Sequence, residues 1–121
     1  MKSINLKAIR IDGGTHRNYV VEFADGSCKV GVTANPRRRL RELERKRGKS
    51  AVRVMLTPAI ERAIAFELER SVCRLTRHSV IPGSREWHQA KEHGFDYLHQ
   101  TTGMFWHLIA RVPYAPEVHS L

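Results

Sequence analysis

Long apolar runs are missing from this chain. No stretch approaches the roughly 20 residues needed to span a bilayer. The opening residues, MKSINLKAIRIDGG, hold no uninterrupted apolar segment of the kind found in secretory signals. The expected location is therefore intracellular, in the cytoplasm, with no membrane partner. Cysteine is scarce. Cys28 and Cys73 form no CxxC pair and are too few for a disulfide framework, so both are expected to be reduced and half-buried. A Gly-rich phosphate loop and a G-x-S-x-G elbow are both absent. The seven histidines are scattered; His88, His93 and His99 lack zinc-finger spacing with cysteines, and no zinc site is expected. There is no repeat, low-complexity stretch or convincing linker. A chain of 121 residues with 41% hydrophobic content suits a single domain with one modest core.

Acidic residues are also in short supply. Asp and Glu total 12 against 21 Lys and Arg, a net charge of +9. The excess is clustered. Between Asn35 and Ser50 stand eight basic residues (Arg37, Arg38, Arg39, Arg41, Arg45, Lys46, Arg47 and Lys49) against Glu42 and Glu44, so +6 of the +9 lies in one segment. Such a patch favours a polyanion. DNA is the expected partner, with RNA as the alternative. An acidic protein surface or a merely solubilising helix are the competing explanations.

Local signals order the elements. Ile4 to Ile11 alternates like an edge strand. Tyr19 to Phe23 and Cys28 to Thr33 flank Asp25-Gly26, a hairpin signal. Asn35-Pro36 predicts a helix start, since Asn caps well and Pro suits the first helical position. Gly48 predicts its end, and Leu40 and Leu43 supply a narrow packing stripe. Ala51 to Leu56 reads as a third strand. Thr57-Pro58 repeats the cap signal and predicts a helix to about Thr76, with Ile60, Ile64, Leu68, Val72 and Leu75 as its stripe. A loop over His78 to Arg85, a helical segment after Trp87, a strand over Met104 to Val112 and a frayed tail, YAPEVHSL, complete the reading. The expected fold class is α/β (α+β): a small, mainly antiparallel sheet of three or four strands flanked by helices. The core spans about residues 17–100, with 101–121 as a C-terminal extension.

Hairpin register decides which side chains meet. A two-residue loop at Asp25-Gly26 would put Tyr19 and Lys29 on opposite faces. A three-residue loop, Ala24-Asp25-Gly26 with a left-handed Gly26, pairs Tyr19 with Gly31 and Val21 with Lys29. Tyr19, Lys29 and Gly31 then share a face, and the missing side chain at Gly31 leaves room beside the phenol. The second register is the prediction; a one-residue slip would reverse every side chain.

Tyr19, the triplet Lys29-Val30-Gly31, Arg39 eight residues after that glycine, and a glutamate on the later helix resemble the GIY-YIG nuclease superfamily. KVGVTANPRRRL is similar to its phage-associated branch, which reads Lys-Ile/Val-Gly-x-Thr, Asn-Pro and an Arg-rich helix. LERSVCRL and the later Glu86-Trp87 resemble that branch's Leu-Glu helix and Glu-Trp-Phe signature. Asn-Tyr-Val stands in place of Gly-Ile-Tyr, Lys29 where many members have Tyr, and His88 in place of Phe.

The resemblance implies a divalent-metal-dependent DNA endonuclease, with water attacking phosphorus and release of a 3′-hydroxyl, in a bacterial host. It implies that Tyr19 orients or deprotonates the water, that Lys29 assists, and that Arg39 braces the phosphate. It also implies that Glu69 ligates Mg²⁺ or Mn²⁺. Ordinary roles compete with each: a packed strand tyrosine, a solvated lysine, a carboxylate at a stripe edge. Glu69 carries a separate hint. Its helical neighbours Ala65, Phe66, Val72 and Cys73 are weakly polar or apolar, a costly setting for an unpartnered carboxylate; Glu67 is the alternative ligand. Arg37, Arg38, Arg41, Arg45 and Lys46 are expected to bind flanking phosphates. Trp87 is expected to cap the core and Glu86 to fix the loop. The rival reading is a non-catalytic module on the same fold that binds nucleic acid or inhibits another protein. No separate DNA-reading domain is expected in a chain this short, so sequence selectivity is expected to come from a homodimer, another partner or the extension.

Overall fold

A computed structural model describes residues 14–76, 87–88, 94–110 and 112–121. The elements are β1 (Arg17–Phe23), β2 (Cys28–Thr33), α1 (Pro36–Arg47), β3 (Ala51–Leu56), α2 (Arg62–Thr76), β4 (Trp87–His88), α3 (Phe95–Ile109) and β5 (Glu117–Ser120). The strands form one antiparallel sheet in the order β4-β2-β1-β3-β5. This is the expected α+β class with more strands than the three or four anticipated, because short strands from the second half of the chain extend both edges. The expected strand over Ile4 to Ile11, the loop at His78 to Arg85 and the role of Glu86 lie outside the described residues.

The hairpin has the three-residue loop. Tyr19 pairs with Gly31 and Val21 with Lys29. Gly26 takes φ 85°, a left-handed conformation that glycine enters without a Cβ penalty. Asp25 completes the turn by accepting from the Ser27 backbone N–H at 3.0 Å and the Ser27 hydroxyl at 2.6 Å. Two core layers follow from the period-two alternation of β1. Tyr19, Val21 and Phe23 pack with Val54, Leu56 and the α1 residues Leu40 and Leu43. Val20, Val30 and Met55 face the other way, against Val72 of α2 and Phe95 and Leu98 of α3.

Helix α1 starts and stops where the local signals place it. The Asn35 side chain accepts from the Arg38 N–H, Pro36 opens the helix, and Gly48 ends it at φ 68° with its N–H on the Glu44 carbonyl. Helix α2 begins later than Thr57-Pro58 suggests. The strand ends of β1 and β3 claim those residues first: the Thr57 N–H donates to the Asn18 carbonyl at 3.0 Å, and the Asn18 N–H donates to Thr57 Oγ1 at 2.9 Å. Ile60 forms a bridge with His16, so it is buried ahead of the helix, not within it. At the other end of the expected stripe, Leu75 is exposed and Thr76 is buried.

Trp87 and His88 extend the sheet beside β2, and the next described helix starts at Phe95, with Gly94 as its N-cap. Three further expectations are overturned. Met104 to Ile109 is helical, not extended. Phe95, Leu98, Thr102 and Trp106 are buried at three- and four-residue spacings, a helical period that outweighs the β preference of FWHLI. The tail is not frayed. Glu117 to Ser120 pairs with β3, and the Leu121 N–H donates to the Val52 carbonyl at 3.0 Å. Cys28 is fully buried, not half-buried; burial foremost, then the Glu22 carboxylate, pushes its thiol up to about 12. Among the described residues no helix is long and apolar enough to cross a membrane.

Candidate active site and nucleic-acid interface

Strand pairing lays four polar or permissive positions on the α1 face of the sheet: Arg17 and Tyr19 on β1, Lys29 and Gly31 on β2. Tyr19 is 2% exposed, and its ring lies directly over Gly31. A Cβ at position 31 would fall within 2.8 Å of Tyr19 Cε2 and overlap Oη and Cζ. Glycine is required here by the close approach of a ring, not by backbone angle.

Helix α1 brings Arg39 to the phenol. Arg39 Nε donates to Tyr19 Oη at 3.2 Å, and Arg39 Nη1 donates to Glu42 Oε2 at 3.2 Å. The other oxygen of Glu42 accepts from Arg38 Nε at 3.2 Å. The bond to Tyr19 pushes the Arg39 pKa up despite partial burial, so the guanidinium stays charged. Arg39, followed by Arg38, holds Glu42 below the ordinary carboxylate range. Thr33, Ala34, Asn35, Arg38, Arg39 and Glu42 line an open cleft of about 300 Å³ at the start of α1. Arg39 also borders, with Tyr19, Pro36, Leu40 and Leu56, a recess of about 10 Å³, room for a single water.

Lys29 shares the face but is 2% exposed, and its Nζ donates to the Val30 carbonyl at 3.2 Å. It is a buried lysine, not the solvated one usual on a strand. Glu69 is half-buried on α2, the helix whose Val72 packs on the opposite side of the sheet. The structure thus brings Tyr19, Arg39 and Lys29 to one face and carries Glu69 on the helix covering the other. Glu67 is exposed.

The basic cluster divides into inward and outward sets. Arg39 serves Tyr19, Arg38 pairs with Glu42, and Arg47 donates to Asp25 at 2.9 Å and Ser27 at 3.0 Å, tying α1 to the hairpin turn. Arg37, Arg38, Arg41, Arg45 and Lys46 are exposed. Among the described residues no ion pair engages Arg41, Arg45, Lys46 or Lys49. Arg37, Arg41 and Arg45 recur every four residues along one side of the helix.

Two site features escaped the sequence reading. Glu42 bridges two arginines, and its spacing of three and four residues from Arg39 and Arg38 was the available signal. Arg17, 6% exposed, lies two residues before Tyr19 on the same face. It donates through Nε to the Thr57 carbonyl at 2.7 Å and through Nη2 to Glu117 at 3.1 Å. Burial lowers its pKa, with Glu117 opposing the shift.

The model of the T5orf172 domain matches residues 16–100. The chain belongs to the T5orf172 domain family. That domain is phage-associated and related to GIY-YIG/HNH-like nuclease folds, and the matched residues run from His16, beside β1, to the first part of α3. No curated protein and no solved structure matches the chain.

Proposed function

We propose that this T5orf172 domain is a GIY-YIG-type endonuclease that hydrolyses DNA phosphodiester bonds with a divalent cation, acting as a single domain in the cytoplasm of a bacterial host. The observation that carries the reading is the Tyr19–Arg39 bond over Gly31, made by an arginine that also lines the open cleft at the start of α1. A phenol titrates near 10 and is a weak base. A guanidinium bonded to its oxygen favours the phenolate, and Lys29 on the same face adds positive charge. Tyr19 then orients or deprotonates the attacking water. Arg39 keeps Nη2 available for a phosphate oxygen and neutralises charge as the P–O bond to the leaving 3′ oxygen breaks. The outward basic residues Arg37, Arg38, Arg41, Arg45 and Lys46 hold the flanking backbone.

Glu69 is the residue assigned to Mg²⁺ or Mn²⁺. Among the described residues no three His, Cys, Asp or Glu side chains gather as a cation cage. One half-buried carboxylate fits a hard ion completed by water and phosphate oxygens. An ion held there would supply positive charge to a phosphate that it contacts.

A second reading has its own observation. Glu69 belongs to the helix layer opposite Tyr19 and Arg39, which favours a non-catalytic nucleic-acid-binding module on the same fold. Plasmid nicking with Mg²⁺, Mn²⁺ and chelator separates the two. Chelator-sensitive nicking supports the nuclease; salt-dependent binding without cutting under either metal supports the module.

A further inference from the structure

The acidic residue inside the basic cluster raises a question. A carboxylate beside a phosphate site repels its ligand, yet Glu42 stands at the cleft and touches two of its arginines. Its contacts are ordered. One oxygen takes Arg38 Nε and the other takes Arg39 Nη1, both at 3.2 Å. That leaves Arg39 Nε on Tyr19 Oη. An arginine has five N–H donors in a fixed plane. Pinning Nη1 and Nε fixes that plane and leaves the two Nη2 N–H groups and the second Nη1 N–H as donors.

We propose that Glu42 is a positioning residue, whose carboxylate holds the Arg39 fork against Tyr19 and sets it beside Arg38 to receive one nucleic-acid phosphate. The receptor role rests on the nuclease or binding reading above; the hold on Tyr19 does not. Stability is the wrong readout, because an exposed helical ion pair contributes little to folding. The Tyr19 phenol is the right one. Among the described residues, the titratable and charged groups on its face of the sheet are Arg39 from α1, Lys29 from β2, Arg17 from β1, and Glu117 and His119 from β5 beyond Leu56 and Val54.

The experiment follows the Tyr19 phenol by NMR of ring-labelled tyrosine, with Tyr19→Phe to assign the signal, in the parent and in Glu42→Gln. Two effects have opposite signs. Losing a nearby negative charge, by itself, moves the phenol's titration to lower pH. Losing a positioned guanidinium moves it to higher pH. The proposal expects the higher pH, together with faster exchange of the Arg39 Nε–H. A shift to lower pH, or unchanged titration and exchange, overturns it. Glu61→Gln, the same charge change at an exposed residue outside the cleft, should leave both signals unmoved.

Nicking gives the second arm. Glu42→Gln should lower kcat roughly 10- to 100-fold with a smaller change in KM, the scale of a misplacement of about 1 Å in a reacting group. Faster cutting by Glu42→Gln would make the carboxylate an obstacle and end the proposal. If the parent never cuts, the nuclease reading fails, and the Tyr19 and Arg39 signals still decide what Glu42 does.

Discussion

Replacing Gly31 with alanine adds one methyl group at the place where the candidate site is most tightly built. The backbone tolerates it: Gly26 and Gly48, not Gly31, are the described glycines with positive φ. The clash is with the phenol. A Cβ would lie 2.8 Å from Tyr19 Cε2 and overlap Oη and Cζ, whereas carbon contacts settle at about 3.5–4.0 Å. The ring must therefore move by roughly 1 Å or more. It has little space to do so, being packed against Val21, Leu40 and Leu56 at 2% exposure. Overpacking of this kind costs about 1–3 kcal/mol. The same displacement stretches the 3.2 Å bond to Arg39 beyond hydrogen-bonding range. Cutting should then fall by about 100-fold, the usual effect of a shift near 1 Å in a catalytic group. Urea unfolding gives the first quantity and supercoiled-plasmid nicking the second. Gly31→Ala combined with Tyr19→Leu, which removes the ring, should cost less than the sum of the two changes. Strictly additive costs, or a Gly31→Ala protein with parental stability and activity, would refute the steric argument.

Glu69→Gln should lower cleavage by orders of magnitude while DNA binding persists, since it removes only the charge assigned to the cation; Glu67→Gln should leave cutting nearly intact, and the opposite ranking would transfer the ligand role. Arg41, Arg45 and Lys46 changed together to alanine should flatten the salt dependence of duplex binding by up to about 0.9 in log–log slope per lost phosphate contact. Arg47→Ala should instead loosen the hairpin turn that Arg47 ties down; an unchanged slope in the triple variant would move the binding surface off α1. The turn also predicts a pH effect. Burial pushes the Asp25 carboxyl up, but the Ser27 bonds and then Arg47 more than offset this and hold it below its ordinary value. Its contribution to stability is therefore complete above the unfolded-state pKa near 4 and lost as pH falls through the lower folded value. Asp25→Asn should remove that acid-side dependence, measured as urea midpoint against pH.

Wherever neighbours in the chain decide the outcome, the fold was legible. Asn35-Pro36 and Gly48 bound α1 because capping is settled within four residues. The hairpin register followed from one left-handed glycine and the two-residue period, and with it the shared face of Tyr19, Gly31 and Lys29. Competition from distant partners defeated the same kind of signal elsewhere. Thr57-Pro58 has the residues of a helix start, but the Asn18 backbone holds Thr57 at the strand ends through the Thr57 N–H and hydroxyl. Met104 to Ile109 has strand-forming residues, but burial of Trp106 and the packing of Gly103 under Tyr114 require a helix.

The tail shows why the rest of the site could not be read. Nothing in EVHS announces a strand, and its pairing depends on β3, more than 60 residues earlier in the chain. Glu117 acquires meaning only from Arg17, 100 residues away in sequence. Arg17 in turn is one of 21 Lys and Arg residues, and only sheet register sets it two positions from Tyr19 on the same face. Charge in this chain therefore has two functions that composition cannot separate. Arg17, Arg39 and Arg47 are held by carboxylates or the phenol and shape the Tyr19 face. Arg41, Arg45 and Lys46 point outward, where a polyanion can reach them. A patch read as +6 at the level of sequence is thus smaller as a binding surface than its count suggests. Its internal share goes into holding Arg39 on the Tyr19 phenol and α1 on the hairpin turn.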